Sequence, residues 1–290
     1  MAAPASAALG LLGEPRLLGH LNLIEQCRES TRWGRGGALE ESAGVLLFAT
    51  GSWLPVSCNG AFRVDDGTGP DDVVGRADDF FRARKRGYGV KTRDLSVDDD
   101  LRRACAAAGM VTLGEPAPEM ICTAPVDPAC PSDIDIRHIT TTDGVADFAA
   151  VTGSAYRTYG MPVETAAELL SRPDLFVAAP HIVTVVAHDA EGPVAGALTL
   201  LSHGVAGVYW VGTLERARRR GLGRAVTAAV TNAAFDRGAA AVTLQASVMG
   251  APVYRAMGYE VLYHYEDWVR FDTRPGRLSD VTRAMSSAED

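Results

Sequence analysis

The run Arg218-Arg219-Arg220-Gly221-Leu222-Gly223-Arg224 constrains this chain more than any other segment. An apolar extended stretch, Gly207 to Thr213, precedes it, and a helical stretch, Arg224 to Arg237, follows it. The spacing predicts a strand, a tight basic turn and a helix. Two glycines one residue apart let the backbone approach a ligand with no Cβ in the way. The helix aims its unpaired N–H groups and the positive end of its dipole at the same place. With five arginines between Arg216 and Arg224, the turn reads as a site for a phosphate or pyrophosphate.

The rest of the composition narrows that reading. The chain has 290 residues, long enough for one large core or two ordinary domains. Its formal net charge is −8. A local basic turn in an acidic protein fits a small anionic ligand and excludes general nucleic-acid binding. Cys27, Cys58, Cys105, Cys122 and Cys130 are odd in number and form no CxxC pair, so a reduced, cytoplasmic setting is expected. Met1 to Leu12 is apolar but too short to span a membrane and lacks a basic leader; it reads as a frayed terminus or the start of a helix.

Five prolines between Pro116 and Pro131 interrupt regular structure and predict a boundary near residue 130. After it, strands are expected at Asp133–Ile139, His181–His188, Val194–Leu201, Val205–Thr213, Ala241–Ala246 and Glu260–Phe271. Helices are expected from Thr141–Asp143 to about Tyr159, over Pro162–Ser171, from about Gly223 to Arg237 and over Ala251–Met257. Before the boundary, Gly44–Phe48, Trp53–Phe62, Tyr88–Thr92, Val111–Leu113 and Glu119–Thr123 read as strands. Pro70–Arg86 and Asp98–Ala108 read as helices, the latter capped by Asp98. The two halves share an order of elements, which suggests a duplication.

The segment from Asp133 to Phe271 resembles the GNAT superfamily of acyl-CoA-dependent N-acyltransferases. The family's phosphate motif matches Arg218-Arg219-Arg220-Gly221-Leu222-Gly223, and its later signature matches the strand Val242–Ala246, Tyr254 and the pair Gly258-Tyr259. The resemblance implies an α/β fold with a mixed central sheet flanked by helices, here in two tandem copies. Residues 1–130 would be a degenerate copy, 131–272 the acetyl-CoA-binding domain and 273–290 a flexible tail. The matching turn of the first copy, Asp66-Gly67-Thr68-Gly69-Pro70-Asp71, has no basic residue; its carboxylates would repel a pyrophosphate, so that copy is expected not to bind CoA.

By the same resemblance, acetyl-CoA is the cosubstrate. Its pyrophosphate would rest on backbone N–H groups from Arg219 to Arg224, with Gly221 and Gly223 allowing the approach and Arg218, Arg219 or Arg224 reaching the 3′-phosphate. Val211 and Thr213 would pair with the pantetheine amides, and Ser247 stands where the family often has an asparagine that contacts the cofactor arm. Tyr254 is the candidate acid: a thiolate leaving group needs a proton, and a phenol near the sulfur can supply it. No base stands out; Glu164, His203, Glu215 and His264 are all available. Tyr209 and Trp210, on opposite faces of one strand, together with Trp33 and Trp53, could line an acceptor cleft or fill the core. No metal-ligand spacing is present.

The leading expectation is therefore an N-acetyltransferase acting on a primary amine of a small molecule or an amino-acid-like acceptor, without nucleic-acid or membrane partners. Whether it forms a homodimer is open. The alternative keeps the fold without chemistry, as an acyl-CoA sensor or partner subunit. A nucleotide-dependent oxidoreductase is the weakest reading, since Ala241–Ala246 offers no acidic residue to bind a ribose.

Overall fold

A computed structural model describes residues 14–271; the expected C-terminal tail and the segment Met1 to Leu12 lie outside the described residues. The elements in chain order are α1 (Pro15–Trp33), β1 (Ala38–Ser42), β2 (Val45–Ala49), β3 (Asn59–Arg63), α2 (Pro70–Arg84), β4 (Tyr88–Arg93), α3 (Asp99–Ala107), β5 (Val111–Thr112) and β6 (Ala117–Cys122). The second half continues with β7 (Asp135–His138), α4 (Thr142–Tyr156), α5 (Glu164–Leu169), α6 (Pro173–Val177), β8 (Ile182–Asp189), β9 (Gly192–Ser202), β10 (Val205–Thr213), α7 (Leu222–Asp236), β11 (Val242–Gln245), α8 (Ala251–Ala256) and β12 (Glu260–Arg270).

All the strands join one mixed sheet in the order β1-β2-β3-β4-β12-β6-β11-β10-β9-β8-β7, with β5 added against β12. The closing strands are exchanged. β12, which ends the second half, lies against β4 of the first, while β6, which ends the first, lies between β12 and β11. The second half thus takes a strand from the first to extend its sheet beyond β11.

Helices cover both faces. α7 closes an aliphatic core of Val194, Ala195, Ala197, Val226 and Val230. On the other face, Leu23, Ile24 and Trp33 of α1 meet Leu46, Phe48 and Phe62 of the first half and Phe148, Leu198 and Tyr209 of the second in one cluster. α1 packs on β2, β9 and β10 and so bridges the halves. Burying a large apolar side chain stabilises by about 1.5–3 kcal/mol, so this shared cluster couples the halves strongly.

Several expectations change on the structure. Residues 53–58 do not belong to a strand; they form a loop of turns before β3, with Val56 at a φ of 65°. The helix expected to reach Tyr159 ends at Tyr156, and a single 3₁₀ turn, Arg157–Tyr159, follows it. Thr141 does cap this helix, accepting from the Gly144 N–H. Asp98 occupies the position before α3 but makes no side-chain cap, because its carboxylate is taken by Arg93 at 2.8 and 2.9 Å. Trp33 is a core residue, edge-on to Phe176 at 4.8 Å.

Candidate active site

The site begins where two parallel strands part. β10 and β11 pair only at Ala206–Val242 and Gly207–Thr243. Beyond that, β10 slips its register against β9 between Tyr209 and Gly212, and Trp210 sits at a φ of 56°. Such a bulge turns a strand away from its neighbour, and a bulky residue in the left-handed region stores strain of the kind found at functional sites. The opening exposes the edge of β10 at Val211 and Thr213. Gly212 lets α4 approach closely, since a Cβ there would lie 2.9 Å from that of Ala155.

The chain then leaves β10 through a 3₁₀ turn, Glu215–Ala217, into the basic turn. Arg219 and Gly221 have φ values of 64° and 79°, and Gly221 precedes the first residue of α7. Left-handed residues alternating with ordinary ones fold backbone N–H groups into a concave nest that suits an anion. The first turn of this 15-residue helix has no acidic side chain.

The arginines divide by partner. Arg216 pairs with Asp189 at 2.8 Å and Arg220 with Asp133 at 2.5 Å, which ties the outside of the turn to the end of β8 and to the segment just before β7. Arg224 meets Asp127 at 3.0 Å. Arg218 donates to the Thr158 hydroxyl at 2.7 Å, and neither it nor Arg219 has a carboxylate partner among the described residues. Arg218 and Arg219 therefore hold the charge that remains for a ligand. These residues fit a pyrophosphate.

A cavity of about 420 Å³ opens from this turn and is lined by Val211, Thr213, Arg218, Arg219, Gly221, Gly223, Arg224, Ser247 and Tyr254. The residues expected to bind the cofactor, together with Tyr254, thus line one space. A second cavity of about 470 Å³ adjoins it deeper between the halves and shares Tyr156, Tyr159, Val211, Ser247 and Tyr254. Tyr209 and Trp210 both line the second cavity, the bulge having broken their alternation.

Tyr254, on the one-and-a-half turns of α8, stands where the two cavities meet. Burial pushes its phenol up to about 12, with the nearby Tyr159 adding to the rise and the Thr227 hydroxyl opposing it. The group is a proton donor at neutral pH. Ser247 accepts from the Tyr159 hydroxyl at 3.0 Å and from the Gly250 N–H at 3.1 Å. Tyr156 ends α4 and Tyr159 lies in the 3₁₀ turn after it; two tyrosines three residues apart are a weak sequence signal for a place at the site.

The candidate bases lie elsewhere. None of Glu164, His203, Glu215 and His264 lines the inner cavity. Glu164 starts α5, and Glu215 faces a separate surface cleft with Arg218. His264 is engaged by Asp94 at 3.0 Å. Among the described residues no cluster of histidine, cysteine and carboxylate side chains could hold a metal ion.

The first half differs at the corresponding place. β3 and β4 also pair only briefly, at Gly60–Gly89 and Ala61–Val90. Their ends are occupied by Arg63 and Arg93, both 2 % exposed and gathered around Asp98. In the turn before α2, the Asp65 carboxylate accepts from the Gly67 N–H at 3.0 Å. A side chain already takes the donor that a phosphate would need.

Residues 177–271 match the family model described as an acetyltransferase (GNAT) domain. No curated protein matches the chain. Among solved structures, a GCN5-related N-acetyltransferase from Kribbella flavida is similar at 21% identity with a TM-score of 0.65, covering 90% of this chain and 97% of its own. A GCN5-related N-acetyltransferase from Sphaerobacter thermophilus is similar at 19% identity and a TM-score of 0.56, covering 89% and 93%. A tandem GNAT protein from the clavulanic acid biosynthesis pathway, at 12% identity and a TM-score of 0.57, covers 91% and 97%. The chain thus shares the mixed α/β fold of these structures over most of its length, consistent with a doubled GNAT-type acyltransferase fold, and the segment that matches the acetyltransferase (GNAT) domain model lies in its second half.

Proposed function

We propose that the protein is an N-acetyltransferase that moves an acetyl group from acetyl-CoA to a primary amine of a small-molecule or amino-acid-like acceptor. The observation that carries this is the continuity of the two cavities at Tyr254, with the anion nest at the open end of one and an apolar chamber at the other. The backbone from Arg219 to Arg224 and the side chains of Arg218 and Arg219 would hold the pyrophosphate and 3′-phosphate. Val211 and Thr213 would pair with the pantetheine amides, with Ser247 beside the arm.

Acetyl-CoA supplies an activated acyl group as its thioester. The nitrogen, entering as the neutral amine, forms the new C–N bond, the C–S bond breaks, the Tyr254 hydroxyl gives its proton to the departing thiolate, and the proton that the nitrogen sheds to solvent is matched by the one that restores the phenol. A phenol raised to about 12 is protonated at neutral pH and so carries the proton or hydrogen bond that the leaving sulfur needs. The first half, residues 1–130, is read as a degenerate copy that contributes walls and a strand but binds no CoA; residues 131–272 form the transferase domain. No described helix is long and apolar enough to cross a membrane. The five unpaired cysteines suit a reduced cytoplasm.

The test is turnover of acetyl-CoA with a panel of amines, alongside calorimetric binding of CoA. The wild type should release thiol with an amine, and Tyr254→Phe should lower kcat about a hundredfold with CoA affinity nearly unchanged. Binding without turnover of any amine would favour an acyl-CoA sensor; an unchanged kcat in Tyr254→Phe would remove the tyrosine from the chemistry.

A further inference from the structure

The inner cavity has walls from both halves. Leu54 and Val56 from the loop before β3 face Met161, Trp210 and Leu244 from the second half, with Tyr156 and Tyr254 at the mouth. Val56 is held in its left-handed conformation by a backbone hydrogen bond to the Asn59 carbonyl at 2.9 Å and by close packing on Gly89, where a Cβ would lie 2.7 Å from it. This wall is fixed rather than loose.

The polar side chains at the cavity are mostly committed. Asp267 is paired with Lys91, and Ser247 is engaged by Tyr159 and Gly250. The Tyr209 hydroxyl donates to Asn22 at 2.7 Å. Gln245, at the end of β11, differs. Its amide nitrogen donates to Glu119 Oε2 at 2.5 Å, and its amide oxygen has no partner among the described residues. Glu119 comes from β6, the strand supplied by the first half, directly opposite Gln245 in register. It is completely buried, and α1 presses on its other oxygen: a Cβ on Gly19 would lie 2.9 Å from Oε1. By accepting at Oε2, Glu119 holds the amide NH₂ of Gln245 and leaves the amide oxygen as the free end of that side chain.

Resting on the transferase reading above, we propose that Gln245, oriented by Glu119, accepts a hydrogen bond from the acceptor's amino group, and that the acceptor is an amine carried on a bulky apolar body, of the arylalkylamine class. The amide oxygen holds the nitrogen at the chamber edge near Tyr254 while the aromatic and aliphatic walls take the body. Small polar amines leave those walls wet and gain little. Gln245 binds substrate; Glu119 is a positioning residue.

The experiment measures acetyl-CoA turnover with 2-phenylethylamine and tryptamine against glycine and ethanolamine, and calorimetric binding of each amine to the CoA-loaded protein. The arylalkylamines should show a kcat/KM at least about tenfold higher. Gln245→Leu should raise KM for 2-phenylethylamine about tenfold, the effect of losing one hydrogen bond to a cationic group, with KM for acetyl-CoA unchanged. Glu119→Leu should raise the amine KM similarly, and Glu119→Gln, which still offers an oxygen to Gln245, should restore most of it. If Glu119→Leu does not fold, Gln245→Leu carries the test.

Preference for glycine or ethanolamine, an unchanged amine KM in Gln245→Leu, or no arylalkylamine bound or turned over by a protein that binds CoA would overturn the inference. In the first two of these cases the transferase reading stands. Only a failure to bind or turn over acetyl-CoA with any amine removes that reading as well.

Discussion

The Tyr159 hydroxyl donates to Ser247 Oγ at 3.0 Å, joining the 3₁₀ turn after α4 to the loop after β11. Both residues line the outer and the inner cavity. The bond therefore spans the passage that a pantetheine arm would thread, and it must yield when the arm enters. An exposed neutral hydrogen bond is worth about 0.5–1.5 kcal/mol. Tyr159→Phe should raise CoA affinity by roughly two- to twelvefold in calorimetric titration; a fall in affinity would mean that the hydroxyl itself contacts the cofactor.

The Gly221 φ of 79° makes a different demand from the one its neighbour makes. A Cβ on Gly221 would meet nothing within 4 Å, so space is not the constraint; the left-handed backbone is. Forcing a branched side chain there costs about 1–2 kcal/mol and opens the nest. Gly221→Val should weaken CoA binding at least about tenfold with only a small loss in thermal midpoint. Gly223 lies within the helix, and a Cβ there would rest 3.6 Å from Thr213 Oγ1, an ordinary contact. Any affinity lost in Gly223→Ala reports the ligand's close approach and not backbone strain.

Charge in the basic turn is unevenly free. Arg216 and Arg220 are tied outward to Asp189 and Asp133, whereas Arg219 has no partner among the described residues. Arg219→Ala should lower CoA affinity about tenfold, the worth of a charge-assisted contact to phosphate. Arg216→Ala should change it less than threefold. Comparing binding at low and high salt checks the assignment: the Arg219 effect should shrink as salt rises.

The strand, turn and helix from Val205 to Asp236 were legible because glycine placement and arginine density leave few alternatives, and the apolar β10 agrees with them. The strand exchange was not. β6 and β12 each close a half, and nothing in either sequence says which neighbour it will choose; the choice depends on a sheet edge built by distant residues. α1 was hidden for a related reason. It buries His20, Asn22, Glu29, Ser30 and Thr31 as well as leucines, so its inner face carries no clean apolar stripe. His20 finds Tyr265 and Arg63 as partners, and Asn22 finds Leu200, Ser202 and Tyr209, all far away in sequence. The loop before β3 looked extended because Trp53, Leu54 and Val56 favour strands. Tertiary packing of Val56 on Gly89 overrides that preference. Glu119 read only as a strand residue, since its partner Gln245 is across the exchanged ladder.

Glu119 also sets a dependence of stability on pH. Burial pushes its carboxyl up to about 7, opposed first by the hydrogen bond from Gln245 and last by the charge of Lys91, which is itself held by Asp267. Tyr209 and Tyr263, facing it from β10 and β12, stay neutral, their phenols raised mainly by burial and further by the carboxylate. The folded protein binds this proton more tightly than the unfolded chain, whose carboxyl titrates near 4.5. Stability from this group is therefore complete below about pH 4.5 and is lost as pH rises through about 7. A difference of about two and a half units corresponds to roughly 3 kcal/mol. Glu119→Gln keeps a hydrogen-bonding group and removes the titration. Denaturant unfolding of the two proteins at pH 5 and pH 8 should show the wild type losing up to about 3 kcal/mol relative to the variant across that interval. Parallel curves at both pH values would mean that the carboxylate is better solvated than its burial between α1 and the exchanged strands requires.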